Sequence, residues 1–276
     1  MAHKRYFIAF FTLTLFLSCA TNPFTGQKTM AFVSNDQLFP AAFQQYDQFL
    51  SENKVITGTS QAEMITRVGQ RIAIAAERWL NANGHSGYLN DYEWDYHLVD
   101  DKTVNAWCMP GGKIVFYTGI LPIAKSETGV AIIMGHEVAH ALANHGQQRM
   151  SAAYIQQGVA VAGNIAFADD KNLDIYNQAY GIASNVGGML PFSRSHETEA
   201  DKIGIYLAAI AGYDPYEASK LWERMKALSG GEAPPEFMST HPSNDSRIDN
   251  LQALAPKADA EAKKFGVSSF RQTPNF

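Results

Sequence analysis

Apolar positions recur at helical spacing from about Asp36, most clearly in SQAEMITRVGQRIAIAAERWLNA, where Met64, Val68, Ile72 and Ala75 or Ala76 share one face. That helix is expected to end at NGHSG. From Glu93 the period changes. In EWDYHLVD, Trp94, Tyr96 and Leu98 alternate with Glu93, Asp95 and His97, as in a half-buried strand, which puts His97 on the polar, exposed side. TVNAW and KIVFYTGIL read as two further extended units joined through MPGG, so a small hairpin-like sheet is predicted. Helices are then predicted over 119–125, 126–144, 147–162, 172–187, 195–211, 215–229 and 244–255, separated by breaks such as FADDKN, GGMLPFS, AGYDP and GGEAPPEF. No repeat or interdomain linker interrupts the pattern. It predicts one α+β domain over 36–276, mostly helical, with a small sheet.

The start of the chain departs from this pattern. A basic His3, Lys4 and Arg5 precede YFIAFFTLTLFL, which is shorter than the roughly 20 residues of a membrane span and suits the core of a signal peptide. FLSC then resembles a bacterial lipobox, with Phe16 where Leu is usual. On that reading residues 1–18 are a signal peptide of lipoprotein type, Cys19 is the acylated first residue, and 19–35 form a polar, turn-rich tether to a membrane. An ordinary signal peptide cleaved near Ala20 is the alternative. Ala20, where an Asp favours inner-membrane retention in some bacteria, points to the outer membrane. With Cys19 lipidated, Cys108 has no disulfide partner and is expected as a small buried hydrophobe. Over 276 residues, 46% hydrophobic content suits a substantial core, and a net charge of −5 leaves no basic surplus for nucleic acid.

The candidate chemistry lies in ETGVAIIMGHEVAHALANHG. His136 and His140 are four apart, so on a helix they point the same way and can hold one Zn²⁺. Glu137 is rotated by about 100°, too far to bind the same ion easily but within reach of a water held there, whose proton it can take. A catalytic zinc needs a third protein ligand. A third His six residues after the second is excluded, since Gly146 stands there; His145, at the wrong offset, reads as a helix C-terminal residue favoured by the dipole. In SRSHETEADKIG, Glu197 can complete the set, and Asp201, four residues on, can accept the remaining ring N–H of a ligating His. Alternatively, Glu197, Glu199 and Asp201 form a solvated acidic face, or His196 is the ligand.

HEVAH followed by FSRSHETEAD resembles metallopeptidase family forty-eight, which includes HtpX, CAAX prenyl proteases and periplasmic BepA-type enzymes. NPFTGQ, VNAWCMPGGKIVFYTGIL and STHPSNDSRI agree with it, so the resemblance covers nearly all of the mature chain. It implies a gluzincin fold with one zinc on His136, His140 and Glu197, Glu137 as general base and Asp201 behind the ligands. It also implies an endopeptidase acting on misfolded or misassembled envelope proteins. The membrane-embedded relatives carry several transmembrane helices; their absence here favours the periplasm-facing, lipid-anchored branch. With KIVFYTG as an edge strand, an extended peptide can add to it, with Asn105, Gly111, Gly112, Ile114 and Arg247 as substrate contacts. An internal strand is the alternative. The same resemblance puts His241 and Arg247 at the cleft, His241 as oxyanion stabiliser or removable fourth ligand; a turn histidine and a surface arginine are the plainer reading. A lipid-anchored chaperone or assembly factor with a latent site shares this fold.

His241 is expected to matter for turnover more than for zinc retention. His140→Ala then loses zinc and His241→Ala keeps it, as measured by metal analysis after dialysis; equal loss in both would overturn this.

Overall fold

The computed structural model describes residues 19–30, 33–152, 155, 190–228, 236–241 and 245–276. Two short strands, β1 (Cys19–Thr21) and β2 (Lys28–Met30), pair antiparallel at the start. They are followed by α1 (Asn35–Glu52), β3 (Val55–Ile56), α2 (Ser60–Ala82), β4 (Asp95–Val99), β5 (Ala106–Met109) and β6 (Lys113–Tyr117). The remainder is helical: α3 (Leu121–Ala124), α4 (Glu127–Leu142), a run over 145–152, α5 (Leu190–Ile210), α6 (Glu217–Leu228), α7 (Glu236–Thr240) and α8 (Asp245–Lys264).

Helix α2 begins where Thr59 Oγ1 accepts the Ala62 N–H at 3.2 Å, and it buries the predicted stripe of Met64, Val68, Ile72, Ala75 and Ala76. Helix α4 is capped by Ser126, whose Oγ accepts the Gly129 N–H at 3.2 Å, and is buried along its whole length from Thr128 to Leu142. A helix apolar all round belongs in a core, so each ionisable group it carries has to find a partner inside the protein.

The sheet runs β3-β4-β6-β5, with β4 and β6 parallel and the other pairs antiparallel. One face, through Leu98, Ile114 and Phe116, joins the main core that includes Met64 and Ile72 of α2 and Val138 of α4. The other face is covered by α1, with Tyr46 packed among Val99 and Val115. KIVFYTG is therefore not the edge. Ile114, Val115 and Phe116 are consecutively buried because both faces are covered, the pattern of a central strand. The edges are β3 and β5, and β5 lies alongside α4.

Because α1 covers the second face, His97 is half-buried rather than exposed and stacks on Tyr46 with ring centroids 6.0 Å apart. Cys108, on β5, is likewise half-buried. The expected tether is docked: Asn22 is buried, and Phe24 stacks on Trp79 of α2 at 4.5 Å. Helix α8 runs past Pro256, where a stop was predicted, because Ala258 and Ala262 continue its buried face. Helix α5 starts at Leu190, earlier than predicted. The proposed signal peptide and the helix expected at 172–187 lie outside the described residues, as does most of the helix expected at 147–162 beyond 152. Among the described residues no helix is long and apolar enough to cross a membrane.

Helices α4 and α5 approach to backbone contact. A Cβ on Gly135 would stand 2.6 Å from Gly204 O, and one on Gly204 would stand 2.7 Å from Gly135 C and His136 N. Gly204→Ala is expected to cost about 1–3 kcal/mol by overpacking, read as a fall of several degrees in Tm. Gly146→Ala, whose Cβ meets only Pro110 Cγ at 3.6 Å, should be neutral or slightly stabilising. Equal Tm values for the two variants would remove the close approach as a constraint.

Candidate metal centre

The α4–α5 crossing faces His136 and His140 with Glu197. His136 Nε2 is 3.1 Å from His140 Nε2, and the Glu197 carboxylate oxygens lie 3.3 Å from each of these nitrogens. His241 enters the same space: its Nδ1 is 3.0 Å from both Glu197 oxygens and 3.2 Å from His136 Nε2. One atom from each of the four residues falls within a 4.8 Å span, and all four are buried. Uncharged imidazole nitrogens and a carboxylate oxygen are the donors zinc prefers. Glu137 Oε1 is buried without a hydrogen bond beside this group, 3.5 Å from His241 Nε2. The donor set and that orphaned oxygen fit a zinc ion, with a carboxylate in position to act on what the ion holds.

Each histidine of α4 is held from behind by its other ring nitrogen. His136 Nδ1 is 3.0 Å from Asp201 Oδ1, which fixes the tautomer that leaves Nε2 free to ligate. Without the metal, burial opposes a charged imidazole, but hydrogen bonds donated to Asp201 and Glu197 outweigh it and raise the His136 pKa to about 9, so a metal at Nε2 takes the place of a proton. Asp201 is itself gripped by Arg247, through Nε to Oδ2 and a terminal nitrogen to Oδ1, both at 2.8 Å. The other guanidinium nitrogen reaches Glu197 Oε2 at 3.1 Å, and the guanidinium carbon lies 3.4 Å from the Trp222 ring centroid. Burial raises the Glu137 pKa, and nearby positive charge only partly offsets it.

Asp201 thus stands where it was expected, behind the cluster and not on a solvated face. The expected substrate contacts are corrected. Arg247 is neither on the surface nor open to substrate: it is buried, with its donors engaged by Asp201 and Glu197. Asn105 donates to Glu236 Oε1 at 3.0 Å and accepts the Ala106 N–H at 2.9 Å, so it ties the His241-bearing α7 segment to the start of β5. Ile114 is fully buried on the central strand. Gly111 and Gly112, at φ 85° and 92°, make the turn against Phe43 and Trp94, and their carbonyls accept from Glu93 and Asp95.

Sequence reasoning missed His145 and Trp222. Helix α4 ends at Leu142, and two residues on, Asn144, at a φ of 56°, turns the chain back and brings His145 Nδ1 to 2.8 Å from His140 Nδ1. An Asn before His-Gly was the available signal for that reversal. His196 is not a ligand; it stacks on His145 at 4.0 Å and meets Gln148 Oε1 at 3.2 Å.

Two buried histidines of an HExxH helix, with a glutamate inside the motif and a third donor, Glu197, from a second helix, are the donor arrangement of zinc metallopeptidases. The profile of Peptidase family M48 matches residues 60–255, from the start of α2 into α8, and the chain belongs to that family. It is 39% identical over 175 residues to the mitochondrial metalloendopeptidase OMA1 of Schizosaccharomyces pombe, an alignment covering 63% of this chain and 50% of that protein. With the mitochondrial metalloendopeptidase OMA1 of Homo sapiens it shares 27% identity over 260 residues, 90% of this chain and 48% of the relative. A putative beta-barrel assembly-enhancing protease of Vibrio cholerae is 28% identical over 223 residues, 76% of this chain and 42% of that protein. The chain spans half the length of these relatives or less.

Arg247→Lys keeps the charge but loses the planar fork on Asp201 and the stack on Trp222. Zinc affinity, measured by chelator competition, is expected to fall by about 10-fold or more with the circular dichroism spectrum unchanged. Unaltered affinity would mean that Asp201 holds His136 without this support.

Proposed function

We propose that this chain is a zinc-dependent endopeptidase that hydrolyses unfolded or misassembled cell-envelope proteins, in a quality-control role. The observation that carries this reading is Glu137 Oε1, buried without a hydrogen bond beside the His136, His140 and Glu197 donors. Bound zinc supplies a Lewis acid that lowers the pKa of water and polarises a carbonyl. Glu137, its own pKa raised by burial, accepts the nucleophile's proton at Oε1 and returns it to the leaving amine. Asp201 and Arg247 keep His136 oriented throughout, and the surrounding apolar residues of α4 exclude bulk water.

Substrate recognition is assigned to β5 instead of β6. Asn105 O pairs with the Tyr117 N–H, so the alternating antiparallel pattern turns the N–H and C=O of Cys108 away from β6, toward the open edge beside α4. Among the described residues no strand pairs with that edge. An extended peptide can add there through its backbone, which favours unfolded chains over particular side chains. The names of the beta-barrel assembly-enhancing relatives support an envelope substrate. The basic and apolar start followed by Cys19 supports a lipid anchor facing the periplasm, on the outer membrane in preference to the inner.

A second reading is favoured by His241. Catalytic zinc sites keep three protein ligands and an open fourth position, whereas His241 Nδ1 stands within the donor group. That arrangement suits a latent site that opens when His241 moves aside, and in the resting protein a chaperone or assembly role.

Glu137→Gln, made in the form beginning after Cys19 and loaded with zinc, is expected to retain the metal and lose about 10²–10⁴-fold in cleavage of an unfolded protein. Cleavage undiminished in Glu137→Gln would refute the base. Cleavage by neither form, with protection from aggregation by both, would establish the holding role.

A further inference from the structure

On the side away from the donor cluster, His136 meets a carboxylate directly through Nδ1, but His140 does not. Its Nδ1 contacts His145 Nδ1 at 2.8 Å, and His145 Nε2 lies 3.0 Å from Glu199 Oε2. With His140 Nε2 turned to the ligand cluster, one arrangement of protons satisfies every contact. His140 Nδ1–H donates to His145 Nδ1, and His145 Nε2–H donates to Glu199. His145 is fully buried, and its ring is stacked against His196, so it has no freedom to turn away.

Glu199 is in turn held from the far end of the chain. Its other oxygen, Oε1, accepts from Asn22 Nδ2 at 2.8 Å and Thr25 Oγ1 at 2.6 Å. Asn22 is 2% exposed, and its Oδ1 accepts the Phe24 N–H at 2.8 Å, so the turn that presents these donors is itself closed. Phe24 stacked on Trp79 fastens the same turn to α2. The two carboxylate oxygens are thus engaged on opposite sides, one by the N-terminal hairpin and one by the relay to His140.

We propose that the β1–β2 hairpin is a positioning part of the metal centre: Asn22 and Thr25 set Glu199, which through His145 fixes the tautomer and orientation of His140. None of these residues touches the reacting atoms; each acts through the next. Asn22 is three residues after Cys19, no more than about 10 Å of extended chain. Pulling or releasing the chain at its proposed anchor therefore acts on a metal ligand. The inference concerns how the metal is held and rests on the zinc site, not on hydrolysis.

The test uses the full chain with Thr25→Val and Asn22→Ala, together and each combined with Glu199→Gln, and Lys28→Ala on the exposed side of the hairpin as control. Zinc affinity is read by chelator competition, and coordination by the visible absorption of the cobalt-substituted protein. Melting of the chelator-treated protein separates misfolding from a local effect. The hairpin double variant is expected to lower zinc affinity by about 10-fold and to shift the cobalt bands, with Lys28→Ala unchanged. Adding the hairpin changes to Glu199→Gln is expected to cost no further affinity, because they act through the same carboxylate. Unchanged affinity and cobalt spectrum in the hairpin double variant would overturn the proposal, as would losses that add independently to those of Glu199→Gln. Metal binding is measured directly, so a failure to hydrolyse protein leaves this outcome unaffected.

Discussion

The contact between Gly135 and Gly204 is the constraint on which the rest of the site depends. At neither position is there room for a Cβ, so α4 and α5 cross with their backbones touching. Gly135 immediately precedes His136, and Gly204 lies about two helical turns from Glu197 on α5. A wider crossing would carry Glu197 away from His136 and His140 by roughly the width of a side chain. The small residues are therefore part of the site, although they bind nothing.

Close approach places several ionisable groups in a dry interior, where charge has to be matched. The matching is done by geometry. Arg247 closes a fork on Asp201 and reaches Glu197 with its remaining arm; Asp201 holds His136; Glu197 stands between His136, His140 and His241. Burial alone would push the Asp201 pKa up, but Arg247 and His136 bring it down, so the carboxylate stays charged where a ring N–H needs an acceptor. Glu137 is the exception. It lacks a hydrogen bond at Oε1, and burial raises its pKa. A group left unsatisfied inside an otherwise satisfied cluster is suited to a proton that has to come and go.

The same logic divides the two ligating histidines. His136 is supported within α5 and α8, deep in the domain, while His140 is supported through His145 and Glu199 by a hairpin at the chain's start. The segment nearest the proposed anchor and the catalytic helix are thus parts of one hydrogen-bonded chain. Asn22, which looks like part of a polar tether in the sequence, is buried for that reason.

What could be recognised from the sequence were the features set by neighbours along the chain. The two histidines of α4 share a face because they are four residues apart, the helix is buried because it is apolar all round, and Pro-Gly-Gly turns β5 into β6. Glu197 could be nominated by the chemistry, since zinc requires a third ligand. The order of the strands could not be assigned, because Ile114, Val115 and Phe116 suit any strand with both faces covered. Neither could the partners of Arg247, Asn105 and Glu199, which depend on distances between elements far apart in sequence. Periodicity and spacing decided which helix carries the ligating histidines; only the tertiary structure decided what holds them, because side chains 54 and 177 positions before Glu199 meet on it through packing that no local pattern records.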